Sequence, residues 1–532
     1  MINNYIYLHK CKNCRIFADS DKTKLDMSQT DNTNISATTQ TAEQTLAWKR
    51  NMLKRENSLP NWLIEKSMFF FFISMFACWL FLGHVPKYDL IFTAAISVVL
   101  FFFAGRSMSN KFSLLGEKKF LRSLLTVGIV VRILWVFYLY YVFNPRYYYN
   151  NAGSMADIEW YIPFGKELAI WLSGNTQYTL SQIIDMYMAA IDDVAYPMLL
   201  GVEYLLTGGI SDLIIPMLIK SILGTYCAIC TYRITKRHFG EGTARLAAIF
   251  VCLNPNMIYW CANMMKEAEM VFFCCLAVDK FDEALSSNSQ LTIKSLLPGI
   301  LCGFVLLFMR TTLGLALFAA VMVHIILADR RIISTGKKIF MGVLMALVLS
   351  VVVGDHLIEQ SKGYMEKVNS DYQKTNMEWR STRSGGNSFA KYATAGVFAP
   401  LIFTIPFPTF NTANETQLLQ VQLAGGYFIK NILSFFVIIV LIQLLISGEW
   451  RKHVFILGYT CAYLVVLVFS GFAQSGRFHM PIWPMLMIFA AYGVQLAKTD
   501  KKMRKWFTYV LYMEIFLCLA WNWFKLAGRG MI

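Results

Sequence analysis

Two carboxylates and two aromatic rings lie close together in the segment GSMADIEWYIPFGKELA, residues 153–169. Asp157 and Glu159 are separated by one residue, and Trp160 and Tyr161 follow directly. A carboxylate can take a proton from a hydroxyl group within hydrogen-bonding distance, and an aromatic ring offers an apolar face to a sugar. Because the segment follows the apolar run LLTVGIVVRILWVFYLYYVF, we expect this chemistry beside a membrane.

Cationic side chains that suit a phosphate group occur much later in the chain. Lys266 and Glu267 precede an apolar run, Arg310 ends another, and Arg477 and His479 lie in SGFAQSGRFHMPIWP. Ionisable groups at the edge of hydrocarbon are costly unless they are solvated or paired, so each is a functional candidate. Arginine and lysine stabilise the charge of a phosphate leaving group. Together with a carboxylate base, they indicate transfer of a group from a phosphate-linked or pyrophosphate-linked lipid to a hydroxyl acceptor.

The composition excludes an ordinary soluble protein. The chain has 532 residues, of which 56% are hydrophobic and only 15% are charged. Apolar runs of roughly 20 residues, the length that spans a bilayer, recur along it, and none alternates as in a membrane β-barrel. We therefore predict an all-α polytopic membrane protein with about thirteen transmembrane helices, at 67–84, 88–105, 121–143, 214–232, 245–262, 266–282, 294–309, 312–328, 339–354, 430–447, 454–471, 481–497 and 507–525.

The net charge of +16 sets the predicted topology. Lysine and arginine collect in every second connection between the predicted helices, as the positive-inside rule requires of cytoplasmic loops. The N-terminus is then cytoplasmic and nucleic acid is not an expected partner. Two large outer loops result, at about 144–212 and 355–427, and every candidate residue above falls on the outer side.

Four regions follow from this topology. Residues 1–60 are polar and are expected to be a disordered cytoplasmic tail. Residues 61–120 hold two N-terminal helices. Residues 121–497 form the transmembrane region that carries the candidate catalytic residues, and 498–532 hold the last helix and the C-terminus. Apolar residues at helical spacing predict amphipathic helices in the first outer loop. Prolines in AGVFAPLIFTIPFPTF favour a re-entrant or interfacial segment in the second, which also carries Arg380 and Arg383.

Structural roles compete with the catalytic interpretation at each position. Asp157 is also suited to a purely structural role as a helix N-cap. Glu159 is also suited to a purely structural role, in which its charge complements the helix dipole. Trp160 and Tyr161 can be interfacial belt aromatics. Lys266 and Arg310 can extend to the interface as anchors, and His479 can be a hydrogen-bonded interface histidine. The predicted location of all of them on one side of the membrane favours function.

The order of these motifs resembles the GT-C superfamily of polytopic glycosyltransferases, which includes protein O-mannosyltransferase-like and aminoarabinose-transferase-like enzymes. Members carry an Asp in the first large outer loop and a ring four residues later, as Asp157 and Tyr161 do here. AYPMLLGVEYLLTG, CLNPNMIYWCANMMKEAEMVFFCCLAV, LLFMRTTLGLALF and GRFHMPIWPMLMIFAAYGV are similar to later family segments. The likeness extends loosely over 121–497. It departs from the family where Ile158 separates the two acids and where two helices precede the loop.

The resemblance implies transfer of a sugar from a polyprenyl-phosphate donor to a glycan, lipid or protein acceptor on the extracytoplasmic face of a bacterial inner membrane. Asp157 would be the base or would orient the acceptor, with Glu159 as a second carboxylate. Lys266, Arg310 and Arg477 would contact the donor phosphate. Trp160 and Tyr161 would line the sugar site, and Glu267 and His479 would complete the substrate-binding set.

Two other functions remain open from the residues alone. An O-antigen polymerase or ligase would also present arginines and a large loop on the outer face. A transporter or flippase would instead need ionisable residues near the bilayer midplane, where Arg132 is the one candidate. No cofactor is expected with certainty: the outer carboxylates can in principle hold a divalent metal, although no ligand spacing indicates a metal site.

Overall fold

Helices make up the fold of this chain, as its apolar runs predict. The computed structural model describes residues 57–147, 156–187, 193–208, 213–286, 292–327, 386–392, 395–412, 418–469 and 473–532, with a few isolated positions between 336 and 382. These residues belong to the unit Leu53–Ile532. Within them there are helices and turns but no strand, so the all-α architecture is confirmed.

Three long helices open the described chain: α1 (Asn61–Leu82), α2 (Tyr88–Lys111) and α3 (Glu117–Tyr138), the last continuing as a π-helical turn over Leu139–Phe143. The expected tail lies outside the described residues except for its last four. Two of those four, Asn57 and Leu59, are buried, and the backbone N–H of Leu59 donates to Ser109 Oγ at 3.0 Å.

The first large loop folds into three helices, α4 (Ala156–Leu172), α5 (Leu180–Met186) and α6 (Ala195–Leu206). Helices α4 and α6 pack closely, and glycine at two positions permits this. A Cβ atom on Gly165 would lie 2.8 Å from Leu200 Cβ, and one on Gly201 would lie 3.0 Å from Leu168 Cβ. The helices predicted for this loop are therefore confirmed.

The middle of the chain forms α7 (Ile214–Leu253), which is kinked at the non-helical Gly240, then α8 (Pro255–Cys261), α9 (Glu267–Ser286), α10 (Ile293–Met309) and α11 (Thr311–Leu327). The prediction of one continuous span over 245–262 is wrong. Asn254 adopts an extended conformation and its side chain caps the next helix by accepting from the N–H groups of Asn256 and Met257. Proline at 255 starts that helix because its missing N–H costs nothing there.

Four further helices complete the fold: α12 (Ala424–Ser447), α13 (Val454–Phe469), α14 (Trp483–Ala497) and α15 (Lys501–Ala527). Most of α14 is buried against α7 and α12, so it lies at the centre of the bundle. The predicted span 339–354 lies almost entirely outside the described residues. In the part of the chain that is described, eight helices are long and apolar enough to cross a membrane, and shorter apolar helices accompany them.

A non-helical segment, 405–412, runs between these helices and is almost entirely buried. Non-helical backbone at such depth needs internal hydrogen-bond partners. Asn522 on α15 supplies several: its Oδ1 accepts from Phe410 N at 2.8 Å, and its Nδ2 donates to Pro408 O at 3.0 Å. Trp79 Nε1 donates to Phe410 O at 2.9 Å. This segment of the second predicted outer loop is thus held inside the protein.

The buried Arg132 on α3 bonds to backbone oxygen. Its Nη1 donates to Cys252 O at 2.9 Å and to Gly128 O at 3.2 Å. The carbonyl of Cys252 stands near the end of α7, where helical carbonyls lack intrahelical partners. Arg132 therefore joins α3 to α7.

Candidate functional site

Asp157 and Tyr161 lie on the same side of α4, one turn apart. The Asp157 side chain is 37% exposed, whereas Tyr161 is buried. Glu159 is exposed, because residues two apart on a helix point to nearly opposite sides. Trp160 is half-buried and its ring centroid lies 4.5 Å from that of Tyr161. The structure therefore separates the two acids that the sequence places almost side by side.

Arg477 joins α4 to the distant part of the chain. It lies in a short helix, Gly476–His479, just before α14. Its Nη1 donates to Asp157 Oδ2 at 2.7 Å, and its Nε lies 4.0 Å from Glu267 Oε1. Glu267 is the first residue of α9 and its carboxylate is 1% exposed. One guanidinium thus connects carboxylates that are 110 residues apart in sequence.

Lys266 forms a second ion pair beside the first. Its ammonium group bonds to Asp193 Oδ1 and donates to Met309 O at 2.8 Å. Tyr161 OH donates to the same carboxylate oxygen at 3.3 Å. Burial, followed by the positive charge of Arg310, lowers the pKa of Lys266. Burial and Asp193 raise the pKa of Tyr161, so its phenol keeps its proton.

Arg310 reaches the same region from the junction of α10 and α11. An extended backbone at this residue interrupts the two helices. Its Nη1 donates to Tyr463 OH at 3.4 Å, and its guanidinium carbon lies 4.2 Å from the centroid of the Phe478 ring. The guanidinium carbon of Arg477 lies 5.0 Å from that same centroid. Phe478 is therefore in contact with both arginines, and cation–π attraction holds them near it.

A buried layer supports these residues, and sequence reasoning missed it. Lys220 on α7 forms an ion pair with Glu269 at 3.2 Å, and both side chains are buried. Its ammonium group also donates to Tyr196 OH at 2.7 Å and to Met265 O at 2.6 Å. It therefore fixes the turn that carries Lys266. The acid pair of KEAEM was a usable signal for Glu269. The position of Lys220 inside the apolar run 214–232 was a signal too, because an ionisable group in hydrocarbon is costly unless it is paired.

Some predicted site residues lie elsewhere. His479 is fully buried, with Nε2 2.6 Å from Ala473 O and Nδ1 3.4 Å from Lys430 Nζ. The structure does not bring it or Glu159 into contact with Asp157. Asp193, in contrast, joins the cluster, although it was not among the site residues predicted from the sequence. Arg380 and Arg383 lie outside the described residues.

A cavity of about 590 Å³ opens beside Arg477. Arg477 and Phe478 form part of its wall. Lys525 on α15, Arg529 just after that helix and the buried segment 405–412 form other parts. Its size lies in the range of small-molecule sites. Within the described residues, no three His, Cys, Asp or Glu side chains converge in a way that could hold a metal ion. The arrangement offers a proton acceptor, several cations and an adjoining cavity.

Comparison with known proteins adds one finding. No curated protein and no solved structure showed a significant match to the chain. One family model does match, over a segment that contains Lys266, Glu267 and Arg310 but neither Asp157 nor Arg477. This match supports the activity of a membrane glycosyltransferase of the mannosyltransferase type. Residues 202–354 match the model described as dolichyl-phosphate-mannose-protein mannosyltransferase, a GT-C-type family, and the resemblance inferred from the sequence is thereby confirmed for this part of the chain.

Proposed function

We propose that the chain transfers a sugar from a polyprenyl-phosphate donor to a hydroxyl group of a glycan, lipid or protein acceptor. The reaction takes place at the extracytoplasmic face of a bacterial inner membrane. One observation carries the proposal: Arg477 contacts the carboxylate of Asp157 and also lines the adjoining cavity. A base for the acceptor and a cation for the leaving group are therefore adjacent.

In the proposed reaction, the hydroxyl oxygen of the acceptor bonds to the anomeric carbon of the sugar while Asp157 takes the hydroxyl proton. The bond from that carbon to the phosphate oxygen breaks, and the phosphate leaves with the electron pair. Protonation of Asp157 removes the negative charge that faces Arg477. The guanidinium can then bind the phosphate while negative charge develops on it. Stabilisation of charge in the transition state lowers the barrier and speeds the reaction.

The other residues take the roles that the resemblance implies. Lys266 and Arg310 add positive potential near the donor phosphate. Trp160 and Tyr161 line the sugar. Glu267, which the resemblance assigns to substrate binding, is buried and lies 4.0 Å from Arg477 in the structure, and its proposed role is therefore to hold the orientation of Arg477. Glu159 and His479 stay predictions as a second carboxylate and a substrate contact, because their contacts in the structure do not reach Asp157.

The first test replaces Asp157 by Asn, which keeps the shape and removes the base. Positioned proton acceptors contribute about 10²–10⁴-fold to rates, so we expect D157N to lose transfer from a polyprenyl-phosphate-linked mannose by at least about 100-fold. The measurement is transfer of radiolabelled sugar in membranes containing equal amounts of protein.

The matched control is Lys166→Gln, on an exposed position of the same helix, which should transfer at the parent rate. If D157N transferred at a rate near that of K166Q, Asp157 would not be the base. A parent chain that transferred from no lipid-linked sugar in a panel of monosaccharide and oligosaccharide donors would contradict the proposed activity itself.

A further inference from the structure

The cavity beside Arg477 has a second positively charged region on the last helix. Lys525 lies in the last turn of α15 and Arg529 lies just beyond the end of this helix, and both line the cavity. Arg529 Nη1 donates to the backbone oxygen of Lys525 at 2.7 Å. Helix α15 lies outside the segment that matches the family model. The family resemblance over 121–497 gives Lys525 and Arg529 no role.

The charges around Asp157 balance one another within the protein. Among the described residues, the cluster holds three cations, Lys266, Arg310 and Arg477, and three carboxylates, Asp157, Asp193 and Glu267. The formal charges cancel. An incoming phosphate would therefore find little net positive charge there until Asp157 is protonated.

Lys525 has a different environment. Its ammonium group donates to Thr409 Oγ1 at 2.7 Å and bonds to Gln420 Oε1, and it lies 4.9 Å from the centroid of the Trp521 ring. These partners are all uncharged, and no carboxylate in the described part of the chain forms an ion pair with Lys525. A cation that is largely removed from water and held by neutral acceptors favours a nearby anion.

Part of the remaining cavity wall is suited to an apolar chain. Phe407, Leu419, Trp521 and Phe524 line the same cavity as Lys525. An anion that carries a hydrocarbon chain would satisfy both the ammonium group and these side chains. A free inorganic anion would leave the apolar surface uncovered, which hydrophobic burial disfavours.

We propose that Lys525 binds the phosphate group of a membrane lipid in this cavity, with Arg529 adding to the local positive potential. The proposal of this binding site depends only on the residues that line the cavity. Identifying this lipid as the sugar donor rests on the proposed function, because the bound phosphate would then lie in the cavity that Arg477 lines, and Arg477 bonds to Asp157.

The experiment measures binding of farnesyl phosphate to the purified full-length protein in detergent, with farnesol and inorganic phosphate as comparison ligands. Loss of a hydrogen bond to a charged group predicts that Lys525→Gln binds farnesyl phosphate about tenfold to a hundredfold more weakly. Binding of farnesol should not change. Lys525→Arg should restore most of the affinity, which a merely structural defect would not allow.

Lys505→Gln, on an exposed position of the same helix, is the matched control and should bind as the parent does. Equal affinity of K525Q and the parent for farnesyl phosphate would overturn the proposal, as would an equal loss of farnesol binding. Inorganic phosphate displacing the lipid at equal concentration would overturn the assignment to a lipid. D157N should still bind farnesyl phosphate, so failure of the proposed transfer reaction can be told apart from failure of this site.

Discussion

The cluster around Asp157 depends on a few side chains that hold one another in place. Arg477 is the central one, because it contacts Asp157, approaches Glu267 and shares the ring of Phe478 with Arg310. A planar guanidinium can make these contacts at once, whereas an ammonium group acts as a point charge. Lysine is therefore not equivalent to arginine at position 477.

A prediction for Arg477 follows from this geometry. Arg477→Lys keeps the charge but cannot reach Asp157 and the Phe478 ring together, so transfer should fall by about 10-fold or more, the equivalent of one charged hydrogen bond. The measurement is the initial rate of sugar transfer at saturating donor. Arg451→Lys, at an exposed position, is the control. Parent-like rates for R477K would show that charge alone suffices there.

The pH dependence of transfer tests Lys266. Burial and the nearby Arg310 lower its pKa from the ordinary 10.5, so it loses its charge at a lower pH than other lysines. If its charge serves the donor phosphate, transfer declines on the alkaline side. Lys266→Arg should move that decline to higher pH, because a guanidinium stays protonated. The measurement is the transfer rate of both proteins from neutral to alkaline pH.

Thermal stability separates this effect from unfolding. The folded chain binds the Lys266 proton less tightly than the unfolded chain does, so between the folded pKa and 10.5 the contribution of Lys266 to stability rises with pH. An alkaline decline in transfer without a lower unfolding temperature is expected. Identical alkaline profiles for K266R and the parent would exclude Lys266 as the titrating group.

At the scale of the elements, the packing of α4 against α6 positions Asp157. The two helices approach closely at Gly165 and Gly201, and α6 carries Tyr196, whose ring centroid lies 5.0 Å from that of Tyr161. Asp193 lies just before α6 and bonds to Lys266. A shift between α4 and α6 would therefore move both ion pairs of the cluster.

Gly165→Ala tests this packing. The added methyl group would meet Leu200 at 2.8 Å, and overpacking of this kind typically costs about 1–3 kcal/mol. We expect a lower unfolding temperature in detergent together with slower transfer. Gly458→Ala adds the same methyl group inside α13, where the nearest atom would lie at an ordinary contact distance of 3.7 Å, and should lower neither quantity. Equal behaviour of the two variants would show that close approach of α4 and α6 is not needed.

At the scale of the whole molecule, the proposed transfer reaction requires one particular membrane topology. The turn after α4 and the turn between α12 and α13 must face opposite sides, because the positive-inside rule assigns GEWRKH to the cytoplasm. Ser173 and Glu449 are exposed positions in these two turns. The location of the cluster relative to the membrane follows from which of them faces the exterior.

Cysteine labelling decides this topology. In intact cells, a membrane-impermeant maleimide should label Ser173→Cys and leave Glu449→Cys unlabelled, whereas both should react after the cells are opened. The parent chain measures the background from its own cysteines. The reverse pattern, with only E449C labelled in intact cells, would place the Asp157 cluster on the cytoplasmic side and contradict the proposed reaction at the outer face.

Much of the architecture was predictable because it follows from composition. Continuous apolar runs leave the backbone no partner but itself in hydrocarbon, so they must be helices. The apolar spacing of the first large loop likewise predicted α4 to α6. Where a polar residue and proline interrupt such a run, as Asn254 and Pro255 do, the hydrophobicity signal continues although the helix breaks, and the prediction of one span failed there.

The sequence by itself determined that the chain is a helical membrane protein, and that Asp157, Lys266, Arg310 and Arg477 were the residues to examine, because charge is rare and costly in such a chain. Only the tertiary structure decided which charges meet. It paired Asp157 with Arg477, turned Glu159 away, and brought Asp193, Lys220 and Lys525 into consideration. These pairings depend on contacts between helices that are distant in sequence, and no local pattern of residue types specifies them.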